Sequence, residues 1–458
     1  MRQENKHGGA RARWGRWPHL GLGLLAVSLA GCDPDELTNL SDPDVITVGV
    51  ASDTSNIEEL RNGASFEFAR AMTGPAATNS TPGIIGISGM LSDEMWYSST
   101  FQGMQEIDRR NIERTNGEVL TVFQYLHRAR NLSERTAEQY ARSPRAGSAD
   151  HAMVTSLAGF TYVLFAENFC SGVPFSRTAL PGDVTFGPAL TTAQMLDSAL
   201  VRFNAAASLS SNATQQNLAR VGRGRALLAR GDFAGAAAAV AAVPTNFVYN
   251  VPYSENASGQ SNGVWYNINS ERRSSVASGE GTNGIVFFRR GPAGTTTNTI
   301  DVRAPVDSLG VGIGTSIVQY RQRKYATRGA AVPLATGIEA RLIQAEAALN
   351  KGASAAYLTT LNELRGTVGL TALTDPGNAQ ARVRQFFTER AFWLWLTAHR
   401  LGDMRRMVRE YQLPANTVFP VGQTIFGSPY GTDVNFPIPI TEQNNPQAPT
   451  GQCIDRNA

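Results

Sequence analysis

Three histidines follow residue 31 in this chain of 458 residues: His127, His151 and His399, far apart in sequence. There is no His-Glu-x-x-His, Cys-x-x-Cys or Gly-x-Ser-x-Gly, so a metal centre or a nucleophile–base pair is poorly provided for. The stretch "GVGIGTS" (310–316) is rich in glycine. It lacks the strand–turn–helix setting and the later acid of a dinucleotide site, and reads as a flexible loop. Asp93-Glu94 offers adjacent carboxylates, but glycoside hydrolysis needs two that face each other about 5–9 Å apart across a sugar. Nothing in the sequence supplies the second. These residues predict a protein without catalysis, metal or cofactor.

A different chemistry concentrates in "RAFWLWLTAHRLGDMRRM" (390–407), where tryptophans, leucines and a phenylalanine precede Arg-x-x-Asp-x-x-Arg. Phe392 and Leu396 are four apart, as are Trp395 and His399. A helix here is apolar over a wide arc and should be mostly buried. Arg400 with Asp403, and Asp403 with Arg406, can pair at three-residue spacing along its flank. Gly402 inside the pattern costs about 1 kcal/mol relative to Ala, which predicts a neighbouring element pressed against it.

The elements that would position these residues are mainly helical. Helical spacing begins at Asn56 and returns at 118–142, 148–169, 191–209, 215–230, 232–243, 337–350, 353–368 and 379–412. Gly231-Asp232, Pro244 and Lys351-Gly352 punctuate the boundaries. "RALLARGDFAGAAAAV" (225–240) and "EAALNKGASAAYLTTL" (346–361) look alike. Both are similar to the tetratricopeptide helical hairpin, though too far apart for a tandem array; they read as hairpins of one scaffold, not a continuous solenoid. Between Pro244 and Pro333 the texture turns to Gly, Ser, Thr and Asn with short bursts such as "GIVFFRR". So long an irregular stretch is often functional.

At the N-terminus Arg11, Arg13 and Arg16 precede "LGLGLLAVSLA" (20–30), too short to span a bilayer, which needs roughly 20 residues. It reads as a secretory signal, and Leu29-Ala30-Gly31-Cys32 resembles the bacterial lipobox, in which the chain is cut before a cysteine that is then acylated. The alternative is an ordinary signal with a chance cysteine. Lys and Arg number 41 and Asp and Glu 38. Residues 1–31 hold five of the former and one of the latter, so the remainder keeps 36 and 37, close to neutral. A nucleic-acid partner, which needs a basic patch, is not indicated. With Cys32 acylated, Cys170 and Cys453 remain in an oxidising compartment. A disulfide between them is the preferred reading and two separate buried thiols the alternative.

Several separated blocks carry a family resemblance. Glu389-Arg390, Leu394, Arg400, Asp403 and Arg405-Arg406 fall where the SusD/RagB-like outer-membrane lipoproteins have their C-terminal helix motif. Trp393 and Thr397 stand where that family has acids, and Ala398 replaces its glycine. "LSDEMWYSS" (91–99), "AGFTYVLFAENFCSGVPFS" (158–176), "ARLIQAEAALNKG" (340–352) with "LNELR" (361–365), and "FPIPITEQNNPQ" (436–447) are similar to further family blocks, in the same order. The resemblance implies a mainly α fold, with tetratricopeptide-like hairpins supporting an irregular ligand-binding lobe. It makes the tryptophan helix architecture. The expected organisation is a signal peptide (1–31), a lipidated acidic tether (32–54) and one domain (55–458). Within that domain, 55–243 and 336–412 are scaffold, 244–335 the lobe and 413–458 a C-terminal loop segment.

The resemblance also implies a lipid-anchored protein at the outer membrane, facing the cell exterior. Its partners would be a TonB-dependent, SusC-like transporter and an oligosaccharide or other oligomeric nutrient. Aromatic faces would stack on the sugar while amides and charges take its hydroxyls. The candidates are Asp93, Trp96, Tyr97, Trp265, Tyr266, Asn267, Asn269 and Arg272. The competing expectation is a helical-repeat adaptor that scaffolds envelope proteins through an apolar groove on its hairpins.

Overall fold

Seven helices open on a side chain that accepts a hydrogen bond from their first-turn amides: Asn116, Ser148, Thr191, Asn212, Asp232, Thr336 and Asn378. Each such cap contributes about 1 kcal/mol, which makes these starts well defined. The computed structural model describes residues 56–178, 184–290, 300–449 and 453–458. The signal segment, Cys32 and the acidic tether lie outside them. All described residues fall in one compact unit that starts at Gly49.

The helices are α1 (Ile57–Thr73), α2 (Ile84–Leu91), α3 (Gln102–Asp108), α4 (Gly117–Ala141), α5 (Ala149–Asn168) and α6 (Thr192–Leu209). There follow α7 (Ala213–Ala229), α8 (Phe233–Val240), α9 (Gly337–Asn350), α10 (Ser354–Gly366), α11 (Ala379–Trp393) and α12 (Arg400–Arg409). Helix α5 is buried on every face from His151 to Asn168, as a helix apolar all round must be. Helices α1 with α4, α5 with α6, α7 with α8, and α9 with α10 pack as pairs. Gly159 and Gly222 let α5 and α7 close on the Phe203 ring of α6. A Cβ at either would lie 2.8 or 2.3 Å from that ring.

Helix α8 packs directly on α9, although nearly a hundred residues separate them. The two look-alike hairpins are therefore neighbours in space. The expectation that they do not continue one array is corrected: the lobe is an insertion between consecutive hairpins. Its ends are zipped by one antiparallel ribbon. To set it out in chain order, β1 (Met95–Tyr97) pairs with β3 (Ser274–Val276), β2 (Val248–Val251) with β6 (Val332–Thr336), and β4 (Val306–Val311) with β5 (Val318–Gln322). Strand β2 follows α8 and β6 runs straight into α9, so the β2–β6 pair is the neck of the lobe.

The expected continuous helix over 379–412 is a second correction. It breaks at 394–399, where Leu396 and Ala398 take left-handed φ of 54° and 60°. The reason lies outside the segment. Glu94 accepts from the Leu396 amide (2.9 Å), Tyr325 donates to the Leu396 carbonyl (2.7 Å), Arg225 to that of Ala398 (2.9 Å) and Lys324 to that of Trp395. Buried side chains thus take over backbone groups that a helix would have paired.

The C-terminal segment lies on the end of α5. Phe436 bridges Phe169, Asp455 bridges Ser171, and Cys170 is joined to Cys453 by a disulfide.

Candidate ligand-binding surface

Charged side chains from the tryptophan segment face inward. Arg390 Nε donates to both Asp403 oxygens at 2.9 Å, and Arg406 bridges Asp403 (2.9 Å) to Glu346 (2.6 and 2.8 Å). The Asp403–Arg406 pair is the expected one. Arg400 departs from expectation: it holds Asp93 through two bonds of 2.6 and 2.8 Å, because the break re-aims the first turn of α12. Burial would raise the Asp403 carboxyl, but Arg390 and Arg406 override it and hold it down at about 2. Burial, with Arg225 nearby, pushes the His399 imidazole down, while its Nε2 meets Glu339 at 3.1 Å. Gly402 presses on Glu167 of α5, where a Cβ would lie 3.0 Å from its side chain. This network binds α12 to α9, α11 and the α2–β1 turn. It is structural.

Asp93, Trp96 and Tyr97 lie in this interior at 0–1% exposure. Trp96 sits opposite Ser275 in the β1–β3 pair. Its ring meets Tyr320 edge-on at 5.9 Å, and the Arg290 guanidinium lies 4.9 Å from its centre. Burial raises the Tyr97 phenol. A ring enclosed in this way has no face for a ligand, so these three leave the set of surface candidates. The reason is tertiary: Tyr320 of β5 and Arg290 enclose the ring from distant parts of the chain, which the local sequence does not reveal.

The other five candidates share one turn. Asn262 opens it, accepting from the Trp265 amide at 3.1 Å and donating to the Ala330 carbonyl at 2.9 Å. Gly263 is required there, since a Cβ would lie 2.3 Å from the Thr73 carbonyl at the end of α1. One helical turn, Gly263–Trp265, then widens into a π-turn, Tyr266–Ser270, a geometry frequent at functional sites. Ile268 is fully buried beneath it, and Asn269 donates to the Gln322 carbonyl of β5 at 2.9 Å. Asn267 is 4% exposed and its carbonyl accepts from the Arg273 amide at 3.0 Å, so it shapes the turn from inside. Trp265, Tyr266 and Asn269 are half-buried and Arg272 is exposed.

Arg272 holds a left-handed φ of 58°, which costs a non-glycine residue about 1–2 kcal/mol. Its carbonyl accepts from the Ile313 amide at 3.0 Å. Arg273, the next residue, turns inward. It pairs with Glu271 at 2.9 Å, reaches Asn79 and Ser99, and lies 4.3 Å from the Phe101 ring centre. The Tyr266 hydroxyl meets Thr78 Oγ1 at 3.2 Å.

The surface so assembled therefore includes residues the sequence reading did not name: Thr78, Asn79, Phe101, Arg273 and Ile313. All but Arg273, which follows Arg272 in the chain, arrive from three distant segments, and they carry no common motif. The result is a pinned turn with two partly exposed aromatic rings and an exposed cation, Arg272, while Asn269 spends its amide on the Gln322 carbonyl and keeps its Oδ1 buried. Such a surface can stack on an apolar ring face and hydrogen-bond hydroxyls. Among the described residues no group of His, Cys, Asp and Glu is placed to hold a metal ion, and no helix is long and apolar enough to cross a membrane.

No family model and no curated protein matches the chain. Solved structures do. A SusD-like carbohydrate-binding protein from Bacteroides fragilis matches with TM-score 0.62 at 17% identity, over 87% of this chain and 99% of that one. Surface glycan-binding protein A from Bacteroides uniformis matches with TM-score 0.58 at 13% identity, over 87% and 99%. A SusD superfamily protein from Bacteroides vulgatus matches with TM-score 0.57 at 14% identity, over 86% and 97%. The chain has the SusD-like fold, nearly end to end of these neighbours.

Proposed function

We propose that this SusD-fold chain is a cell-surface lipoprotein that binds an oligosaccharide and passes it to a TonB-dependent, SusC-like transporter of the outer membrane, without catalysis or cofactor. The observation that carries the reading is the Trp265–Tyr266 turn. It is held from below by β5, closed by the Arg273 amide on the Asn267 carbonyl, and leaves two rings partly exposed beside Arg272. Rigid aromatic faces of this kind suit the C–H face of a pyranose. Two of the structural neighbours are described as carbohydrate- or glycan-binding, which supports the substrate class. The Leu-Ala-Gly-Cys sequence ending at Cys32 supports the lipid anchor.

The test is a glycan array, followed by calorimetry on the full chain in a detergent without a sugar headgroup. The variant Trp265→Ala/Tyr266→Ala should bind the array's best saccharide at least about tenfold more weakly, a loss of roughly 1.4 kcal/mol, and should remain folded at the temperature of the measurement. Equal affinity in the variant and the wild type sinks the assignment. Co-purification of a TonB-dependent transporter with the chain from its native membrane checks the delivery role.

A further inference from the structure

A second recess opens where α1 meets the loop after β2. It encloses about 330 Å³ and is lined by Arg61, Asn62, Ser65, Phe66, Tyr253 and Gln260, among others. Phe66 and Tyr253 are both half-buried and serve as two aromatic walls. The Tyr253 hydroxyl is committed to the Ala69 carbonyl at 2.9 Å, and burial raises its phenol, so the ring carbon is what remains to line the space. Gly259 passes Phe66 with no side chain of its own, and a Cβ there would meet the ring tip at an ordinary 3.8 Å.

The polar members of the recess are uncharged or compensated. Asn62 and Gln260 are exposed amides, and Ser65 adds a hydroxyl. Arg61 stands 3.9 Å from Glu58 and 3.8 Å from Asp150 and donates to Asn62 Oδ1 at 2.8 Å, so its charge is already balanced. Two aromatic rings in the lining, amides at the rim and no net charge fit a neutral, polyhydroxylated ring. The volume lies at the small end of ligand cavities, which limits the occupant to one or two sugar units.

We propose that this recess is a second saccharide subsite that takes a neutral pyranose independently of the Trp265–Tyr266 turn. The proposal rests on the reading that the chain binds saccharides. Gln260 precedes Trp265 by five residues, so no more than about 18 Å of extended chain separates the two places.

The experiment uses saturation-transfer NMR on the full chain in the same detergent, with methyl glucosides, galactosides and mannosides as probes. Trp265→Ala/Tyr266→Ala should retain transfer to at least one glycoside. Adding Gly259→Leu, whose side chain fills the recess against Phe66, should cut that residual at least about fivefold. Asn62→Ala/Gln260→Ala, at two exposed positions, should cut it similarly and stands in should Gly259→Leu unfold. A residual that both additions leave unchanged overturns the second subsite and spares the first. Loss of all transfer in the Trp265/Tyr266 variant alone overturns it too, since no independent site then exists. Absence of transfer to wild type overturns both readings together.

Discussion

Trp96 and Trp265 are each followed by tyrosine, and nothing in their immediate neighbours separates a wall of the core from a face for a ligand. The difference is made by Tyr320 and Arg290, which arrive from about two hundred residues away to enclose Trp96. Trp96→Ala should therefore cost about 3–5 kcal/mol of stability, as large core truncations do, read from denaturant midpoints. Trp265→Ala, at a ring only partly buried, should move those midpoints less than Trp96→Ala and lower affinity strongly. The reverse pattern would exchange their roles. Asp403 gives a pH-dependent counterpart. Its carboxyl is held at about 2 in the fold and has a reference value of 3.8. Because the folded value is the lower one, its contribution is complete above roughly pH 4 and lost as pH falls toward 2, about 2 kcal/mol in all. Wild-type urea midpoints should fall across that window. Asp403→Asn should be flatter there and less stable at neutral pH by about 3–5 kcal/mol, since Arg390 and Arg406 lose their buried partner.

Helices α4 to α10 were legible in the sequence within two or three residues, because caps, apolar spacing and Gly or Pro stops all act locally. The short helices α2 and α3 were not, being too brief to show a period. The break at 394–399 was equally hidden. Its segment is helix-forming by composition, and what opens it is Glu94, Arg225, Lys324 and Tyr325, all remote in sequence. The site followed the same division. Local order put Trp265, Tyr266, Asn269 and Arg272 on one turn, while Phe101, Arg273 and Thr78 joined only through tertiary contacts. The strained break permits a direct check. Ala398 is buried with φ of 60°. Ala398→Gly relieves the Cβ at some cost in chain entropy and should be neutral or stabilising by up to about 1 kcal/mol. Ala398→Val should destabilise by more than about 2 kcal/mol, because a β-branched residue fits left-handed backbone worst. Equal midpoints for the two would mean that the break relaxes without strain.

At the scale of the molecule, residues 244–335 join the helices through the β2–β6 and β1–β3 pairs and through Lys324 and Tyr325, while the chain end is fastened elsewhere. Ile454 donates to the Ser171 carbonyl at 2.7 Å, Asn435 donates to the Arg456 and Asn457 carbonyls at 3.0 and 2.8 Å, and the Cys170–Cys453 bond closes a loop of 283 positions. None of these partners belongs to the Trp265–Tyr266 turn. In the chain-entropy model a loop this long gives a stabilisation of up to about 5–6 kcal/mol, most of it exerted on the unfolded state. Reduction, or the double variant Cys170→Ser/Cys453→Ser, should lower the denaturant midpoint. It should also steepen the m-value, because the unlinked chain exposes more surface on unfolding. Saccharide affinity, measured where both forms are folded, should not move. A parallel loss of affinity and stability on reduction would show that the turn depends on the strap and not only on its own contacts with β5, Asn262 and Arg273.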